Sequence, residues 1–139
     1  MPSSPTSFPE LTRAEEQIML VLWQRGPSFA KEVQAALPAS PPLAYTTVST
    51  IIRVLAQKGF VEHEAFGRTN RYQPLVGQDA YRKFLLSKLL DNYFDGSMGS
   101  LLGFHIRTAG LDAAQLGQLV GQAYQQLAPP PAAGPTPAG

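Results

Sequence analysis

The chain has 139 residues, 44% of them hydrophobic, which suits one compact domain, or a small domain with an appendage, and no apolar run approaches the roughly 18 residues that cross a bilayer. Cysteine is absent, which excludes disulfide frameworks, thiol nucleophiles and thiolate metal sites and fits a reducing, cytoplasmic setting for a soluble protein; the opening MPSSPTSFPE, without Lys, Arg or an apolar stretch, does not read as a secretory signal. Net charge is only +1, yet no Asp or Glu lies between Glu32 and Glu62, where Arg53 and Lys58 occur, nor between Glu64 and Asp79, where Arg68 and Arg71 occur, so two segments are locally positive.

Both ends are rich in Pro, Gly, Ser and Ala, and residues 1–10 and 128–139 are expected to be disordered. Order is predicted to begin near Leu11. Thr12 with Glu15 three residues later forms a capping box, and Ile18, Met19, Val21 and Leu22 supply the apolar side of a helix that stops at Gly26-Pro27. Ser28 is placed to cap a second, short helix, with Phe29, Ala30, Val33 and Leu37 at helical spacing, before the linker PASPPL.

The stretch AYTTVSTIIRVLAQKGF, Ala44 to Phe60, poses a conflict between propensity and period. Six of the seven residues from Thr46 to Ile52 are β-branched, which favours a strand, but alternation would mix polar and apolar side chains on both faces. Helical spacing sorts them: Val48, Ile51, Ile52 and Leu55 form one apolar stripe and leave Thr46, Thr47, Ser49, Thr50, Arg53 and Gln57 elsewhere. A helix is therefore predicted over Ala44 to Lys58, closed by Gly59 as the first residue past its end.

Period two follows. FVEHEAF, GRT and NRYQPL read as a β-hairpin with its arginines at and just after the turn. Three short helices and a hairpin over residues 11–76 describe a winged helix-turn-helix domain, so the fold class is mainly α with a small β-hairpin wing. Residues 77–127 read as a helical dimerisation region. In it, DAYRKFLLSKLLDNYFDG is a long amphipathic helix anchored by Phe84, Leu85, Leu89 and Phe94 and ended by Gly96; SLLGFHI, with Leu101, is a short helix; and LDAAQLGQLVGQAYQQL is a third, capped by Asp112 and carrying Leu116, Leu119, Val120, Ala123 and Leu127. So much apolar surface after a complete small domain points to burial against a second copy.

In a helix-turn-helix the second paired helix enters the major groove by its N-terminal residues, which here are Ala44, Tyr45, Thr46, Thr47 and Thr50. Threonine hydroxyls bond phosphates or bases, and short side chains let a helix sit deep. Arg53 is two turns in and reaches a phosphate or a guanine, while Arg68 and Arg71 on the wing lie along the backbone or in the minor groove. Each residue taken singly fits a plain helix turn or a solvated surface; jointly, with the acid-free gaps, they favour double-stranded DNA as partner.

Catalytic chemistry finds no support in the residues. His63 and His105 have no ligand spacing, Glu62 with Glu64 reads as one polar strand face, and no nucleotide or nucleophile fingerprint occurs, so neither an enzyme, a metal nor a cofactor is expected. Trp23, Tyr93, Phe94, Phe104 and Tyr124 lie on helical patterns and read as core or interface.

LTRAEEQIMLVLWQRGP, LAYTTVSTIIRVLAQKGFVEHEAFGRTNRYQPLV and a helix ending NYFDGS followed by SLLGF resemble, from about Leu11 to Leu127, the bacterial penicillinase and methicillin-resistance repressors, with the copper-responsive repressors as relatives. The resemblance implies a homodimeric winged-helix transcriptional repressor on an inverted-repeat operator, its last helices interlocked, with Thr46, Thr47, Thr50 and Arg53 facing the operator and Arg68 and Arg71 on the wing. It also implies release by a sensor protease that cuts an Asn-Phe bond; the matching residues here are Gly103 and Phe104, with Gly in place of Asn. The copper branch uses clustered cysteines, which this chain lacks. Two other readings remain open at this point: a winged-helix protein-interaction module, and a repressor relieved by a small ligand in the subunit cleft.

Overall fold

The computed structural model describes residues 8–38 and 41–127. The terminal segments expected to be disordered lie, apart from residues 8–10, outside the described residues, as do Ala39 and Ser40 of the PASPPL linker. Compact packing divides the chain into two units, with the division between Ser87 and Lys88.

The first unit holds α1 (Arg13–Arg25), β1 (Ser28–Phe29), α2 (Ala30–Ala36), α3 (Tyr45–Gln57), β2 (Val61–Phe66), β3 (Thr69–Pro74) and the first part of α4 (Gln78–Tyr93). α1 starts where the capping box puts it: the Glu15 N–H donates to Thr12 Oγ1 at 3.1 Å, and the Thr12 N–H to Glu15 Oε1 at 2.8 Å. Its apolar side, Ile18, Met19 and Leu22, is fully buried with Val33 of α2, Val48, Ile52 and Leu55 of α3, and Phe60.

α3 is a helix despite its β-branched content, because burying Val48, Ile52 and Leu55 on one side outweighs a propensity difference of a few tenths of a kcal/mol per residue. It ends in a Schellman motif. Gly59 takes φ +85°, its N–H donates to the Ala56 carbonyl, the Phe60 N–H donates to the Leu55 carbonyl at 2.9 Å, and Leu55 and Phe60 are both fully buried beside it.

The hairpin is a three-stranded antiparallel sheet of order β1-β3-β2. β2 and β3 pair from Val61↔Pro74 to Phe66↔Thr69, leaving Gly67 and Arg68 as a two-residue turn, with Gly67 at φ +64°. The third strand corrects one expectation. Ser28 does not cap α2; it pairs opposite Tyr72 in β1, is fully buried, and donates its hydroxyl to the Gly26 carbonyl at 2.9 Å. The first turn of α2 is served instead by Glu32, which accepts from the Phe29 N–H at 2.9 Å.

α4 joins the first unit through aromatic packing. Tyr81 is buried and accepts a hydrogen bond from the Leu11 N–H at 3.1 Å, and the Trp23 indole donates to the Val76 carbonyl at 2.8 Å. Phe8, which lies in the flanking segment by sequence, stacks at 5.5–6.2 Å on Phe60, Tyr81 and Phe84. Phe84 and Leu85, assigned to dimerisation by sequence, pack against this same core within the protomer.

The second unit comprises the end of α4, α5 (Met98–Ala109) and α6 (Ala113–Leu127). α4 stops just before Phe94, whose N–H still reaches the Leu90 carbonyl; the Gly96 N–H, at φ +74°, bonds the same oxygen. Ser97 caps α5, a full three turns where a short helix was expected, and Asp112 caps α6 in a reciprocal pair with Gln115. Phe94 and Phe104 meet at 5.6 Å, yet no residue of α5 or α6 is buried. No helix among the described residues is long and apolar enough to cross a membrane.

Candidate nucleic-acid interface

The apolar stripe of α3 faces the core, so its remaining side chains face out. With about 100° between successive residues, Thr46, Thr50, Arg53 and Gln57 fall within a sector of about 60°, and Thr46, Thr50, Arg53 and Gln57 are all exposed. Tyr45 is 42% exposed at the helix start. Ala44 is the N-cap residue, without a side-chain cap and with no acid in the first turn, so the positive end of the helix is not already neutralised.

This face forms one wall of a groove of about 900 Å³, lined from α3 by Tyr45, Thr46, Ser49, Thr50, Arg53 and Gln57. Lys31 and Glu32 of α2 line it, as do His63, Arg68 and Asn70 of the wing. Part of its lining is apolar, from Phe29, Ala30, Ala56 and Tyr72.

The predicted residues divide across this geometry. Tyr45, Thr46, Thr50, Arg53 and Arg68 come together in the groove. Thr47 is exposed but stands about 100° from Thr46 on the helix flank, outside the groove lining. Arg71 shares the wing but is not among the residues that line the groove; in register it stands between Phe29 of β1 and Glu64 of β2. Its guanidinium is bonded to Glu64 Oε1 at 3.1 Å and lies 4.7 Å from the centre of the Phe66 ring. Arg53 donates to Thr50 Oγ1 at 3.3 Å, so the two side chains lie together on the exposed face.

Residues the sequence reading leaves out of the site also line the groove, among them Ser49, Gln57 and Lys31. Ser49 and Gln57 are visible in the helical period, at Thr46 plus three and Arg53 plus four. Lys31 carries no local signal, because only tertiary packing brings α2 alongside the wing. Among the described residues Glu32 is the one acid that lines the groove, and it is already held by Arg25 at 3.5 Å and by the Phe29 N–H. His63 sits 6.1 Å from Tyr72, His105 is exposed on α5, and among the described residues no cluster of His, Asp or Glu is suited to hold a metal.

In the second unit, Gly103 and Phe104 lie in the middle of α5, with Phe104 49% exposed. Of the apolar residues assigned to dimerisation there, Leu101 and Leu116 are half-buried, and Leu89, Leu119 and Val120 are 41%, 40% and 60% exposed.

A sequence model of the penicillinase repressor family matches residues 11–123. The transcriptional regulator BlaI of Mycobacterium tuberculosis is 35% identical over 102 residues, which is 72% of this chain and 74% of that protein. The penicillinase repressor of Bacillus licheniformis is 22% identical over 112 residues, 81% of this chain and 88% of its own length. Among solved structures, the solution structure of the DNA binding domain of the repressor BlaI aligns with a TM-score of 0.47 at 27% identity, covering 54% of this chain and 92% of that one.

Proposed function

The chain belongs to the penicillinase repressor family, and from that premise we propose that this DNA-binding transcriptional repressor acts as a homodimer on an inverted-repeat operator, each protomer inserting α3 into a major groove. The observation that carries this reading is the outward face of α3: hydroxyl, amide and guanidinium groups gathered in one sector, beside a wing turn that presents Arg68. Thr46, Thr50 and Arg53 are the base-reading candidates, since they share the sector that would enter the groove. Thr47 on the flank suits a phosphate, and Arg68 suits the backbone or the adjoining minor groove.

Homodimerisation is supported by the second unit, whose helices α5 and α6 carry long apolar side chains and bury none of them within the protomer. Helices that short and exposed are marginal in water by themselves, and a second copy supplies the missing core. Two linked DNA-binding domains gain affinity because the second half-site is met at high effective concentration. A sensor protease that cut at Gly103–Phe104 would remove that linkage; the bond lies in a helix with no buried residue, so little packing opposes the local unwinding a protease requires.

The test is selection of bound duplexes from a random-sequence pool followed by footprinting. Two half-sites in inverted repeat, protected in successive major grooves about 10–10.5 base pairs or a multiple apart, are expected. A single unpaired site, or enrichment of no sequence at all, would refute the dimeric operator reading.

A further inference from the structure

The groove beside α3 is far larger than a single anion needs. It has a volume of about 900 Å³ and is open to solvent. Its chemistry is mixed in a particular way: three cations, Lys31 from α2, Arg53 from α3 and Arg68 from the wing turn, come from three different places in the fold, and Phe29, Ala30, Ala56 and Tyr72 add apolar lining. Among the described residues none of the three cations forms an ion pair with an acid, and the groove's only carboxylate, Glu32, is already bonded to Arg25 and to the Phe29 N–H.

A strand of DNA backbone presents the matching chemistry. It alternates phosphate anions with the apolar faces of deoxyribose rings, so it uses cations and apolar lining together, whereas a free anion would use only the cations. The position agrees as well: one strand of backbone separates a major groove occupied by α3 from the minor groove next to it, where the wing turn lies.

Resting on the proposed DNA-bound arrangement, in which Thr46, Thr50 and Arg53 read bases, we infer that the α2 and wing side of this groove seats one backbone strand, with Lys31 as a phosphate ligand in addition to Arg68. Lys31 then contributes affinity without sequence information, since a phosphate contact positions the protein but does not distinguish bases.

Salt titration of binding to a mixed-sequence 30-base-pair duplex, followed by fluorescence anisotropy with the full chain, separates the possibilities. Lys31→Ala is expected to reduce the slope of log K against log salt by about 0.9 per protomer, and Lys31→Arg to restore it. Arg13→Ala, on α1 and away from the groove, is expected to leave the slope as in the wild type. Relative affinities among single-base variants of the selected site should be unchanged in Lys31→Ala. If Lys31→Ala keeps the wild-type slope while Arg53→Ala loses affinity, the backbone seat is refuted and the reading of α3 survives. If the wild-type chain shows no salt-dependent binding to the duplex, the DNA-bound arrangement itself fails, and the seat with it.

Discussion

The Lys58 ammonium lies 2.7 and 2.9 Å from the two carboxylate oxygens of Glu15, joining the first turn of α1 to the C-cap of α3 across 43 residues of sequence. Glu15 is only 5% exposed, and its carboxylate also accepts from the Thr12 N–H, so one side chain both starts α1 and anchors the end of α3. Removing the ammonium strands a buried carboxylate. Lys58→Met is expected to lower stability by about 1–3 kcal/mol, read as a lower urea midpoint at unchanged m, and Glu15→Gln with Lys58→Met should cost less than the sum of the single changes.

The same pair sets a pH dependence. Burial pushes the Glu15 carboxyl up, but hydrogen bonds and charge from Lys58, together with the bonds from Thr12, outweigh burial and hold it below its ordinary value. A depressed folded-state value means stability that is fully present above the ordinary carboxylate range and is lost as pH falls through the folded-state value. Urea midpoints of wild type and Glu15→Gln should therefore differ by a constant amount near neutrality and converge in acid. A difference that persists undiminished at about pH 3 would contradict the depressed value.

Substitutions at Arg53 and Thr47 are expected to separate base reading from backbone contact. On the selected site, Arg53→Ala is expected to cost about 1–3 kcal/mol and to relax discrimination at one base pair per half-site. Thr47→Ala should weaken all sequences by a smaller, even amount. Anisotropy against a panel of single-base variants measures both.

The two wing arginines should behave differently because only one is free of an internal partner. Arg68→Ala is expected to lower the salt slope by about 0.9 per protomer. Arg71→Ala should change it less, since its guanidinium is committed to Glu64 and to the Phe66 face. Glu64→Gln, which releases Arg71, should steepen the salt dependence. Equal slopes for Arg68→Ala and Arg71→Ala would show that the Glu64 pair does not hold in solution.

Val120 and Tyr124 stand one helical turn apart on α6, 60% and 70% exposed, where a soluble monomer would not normally place an apolar pair. Val120→Asp with Tyr124→Asp should convert a dimer to a monomer in sedimentation equilibrium and lower operator affinity by at least about 100-fold through loss of the second half-site. An unchanged dimer would move the interface off this face of α6.

Local patterns in the chain were sufficient for most of the fold. The Thr12–Glu15 box, the helical period hidden in a β-branched segment, Gly59 past the end of α3 and Gly67 in the hairpin turn each depend on neighbours within a few residues, and each appears as read. The outward hydroxyl face of α3 was legible for the same reason, since period alone separates Val48, Ile52 and Leu55 from Thr46, Thr50 and Arg53. Ser28 shows where local reading stops: a good cap by type, it is taken by a strand pairing with Tyr72, more than forty positions along the chain.

The amino-acid sequence by itself thus determined the elements and the chemistry of the face that α3 turns outward. Tertiary structure alone decided which of those groups meet: that Lys31 lines the same groove as Arg53 and Arg68, that Arg71 is held by Glu64 instead, that Phe8 packs against the core, and that no residue of α5 or α6 is buried beyond the half-buried state. Helical and strand periods are set by backbone geometry over a few residues, whereas groove partners are set by which elements the core draws together, and no spacing in the chain records that.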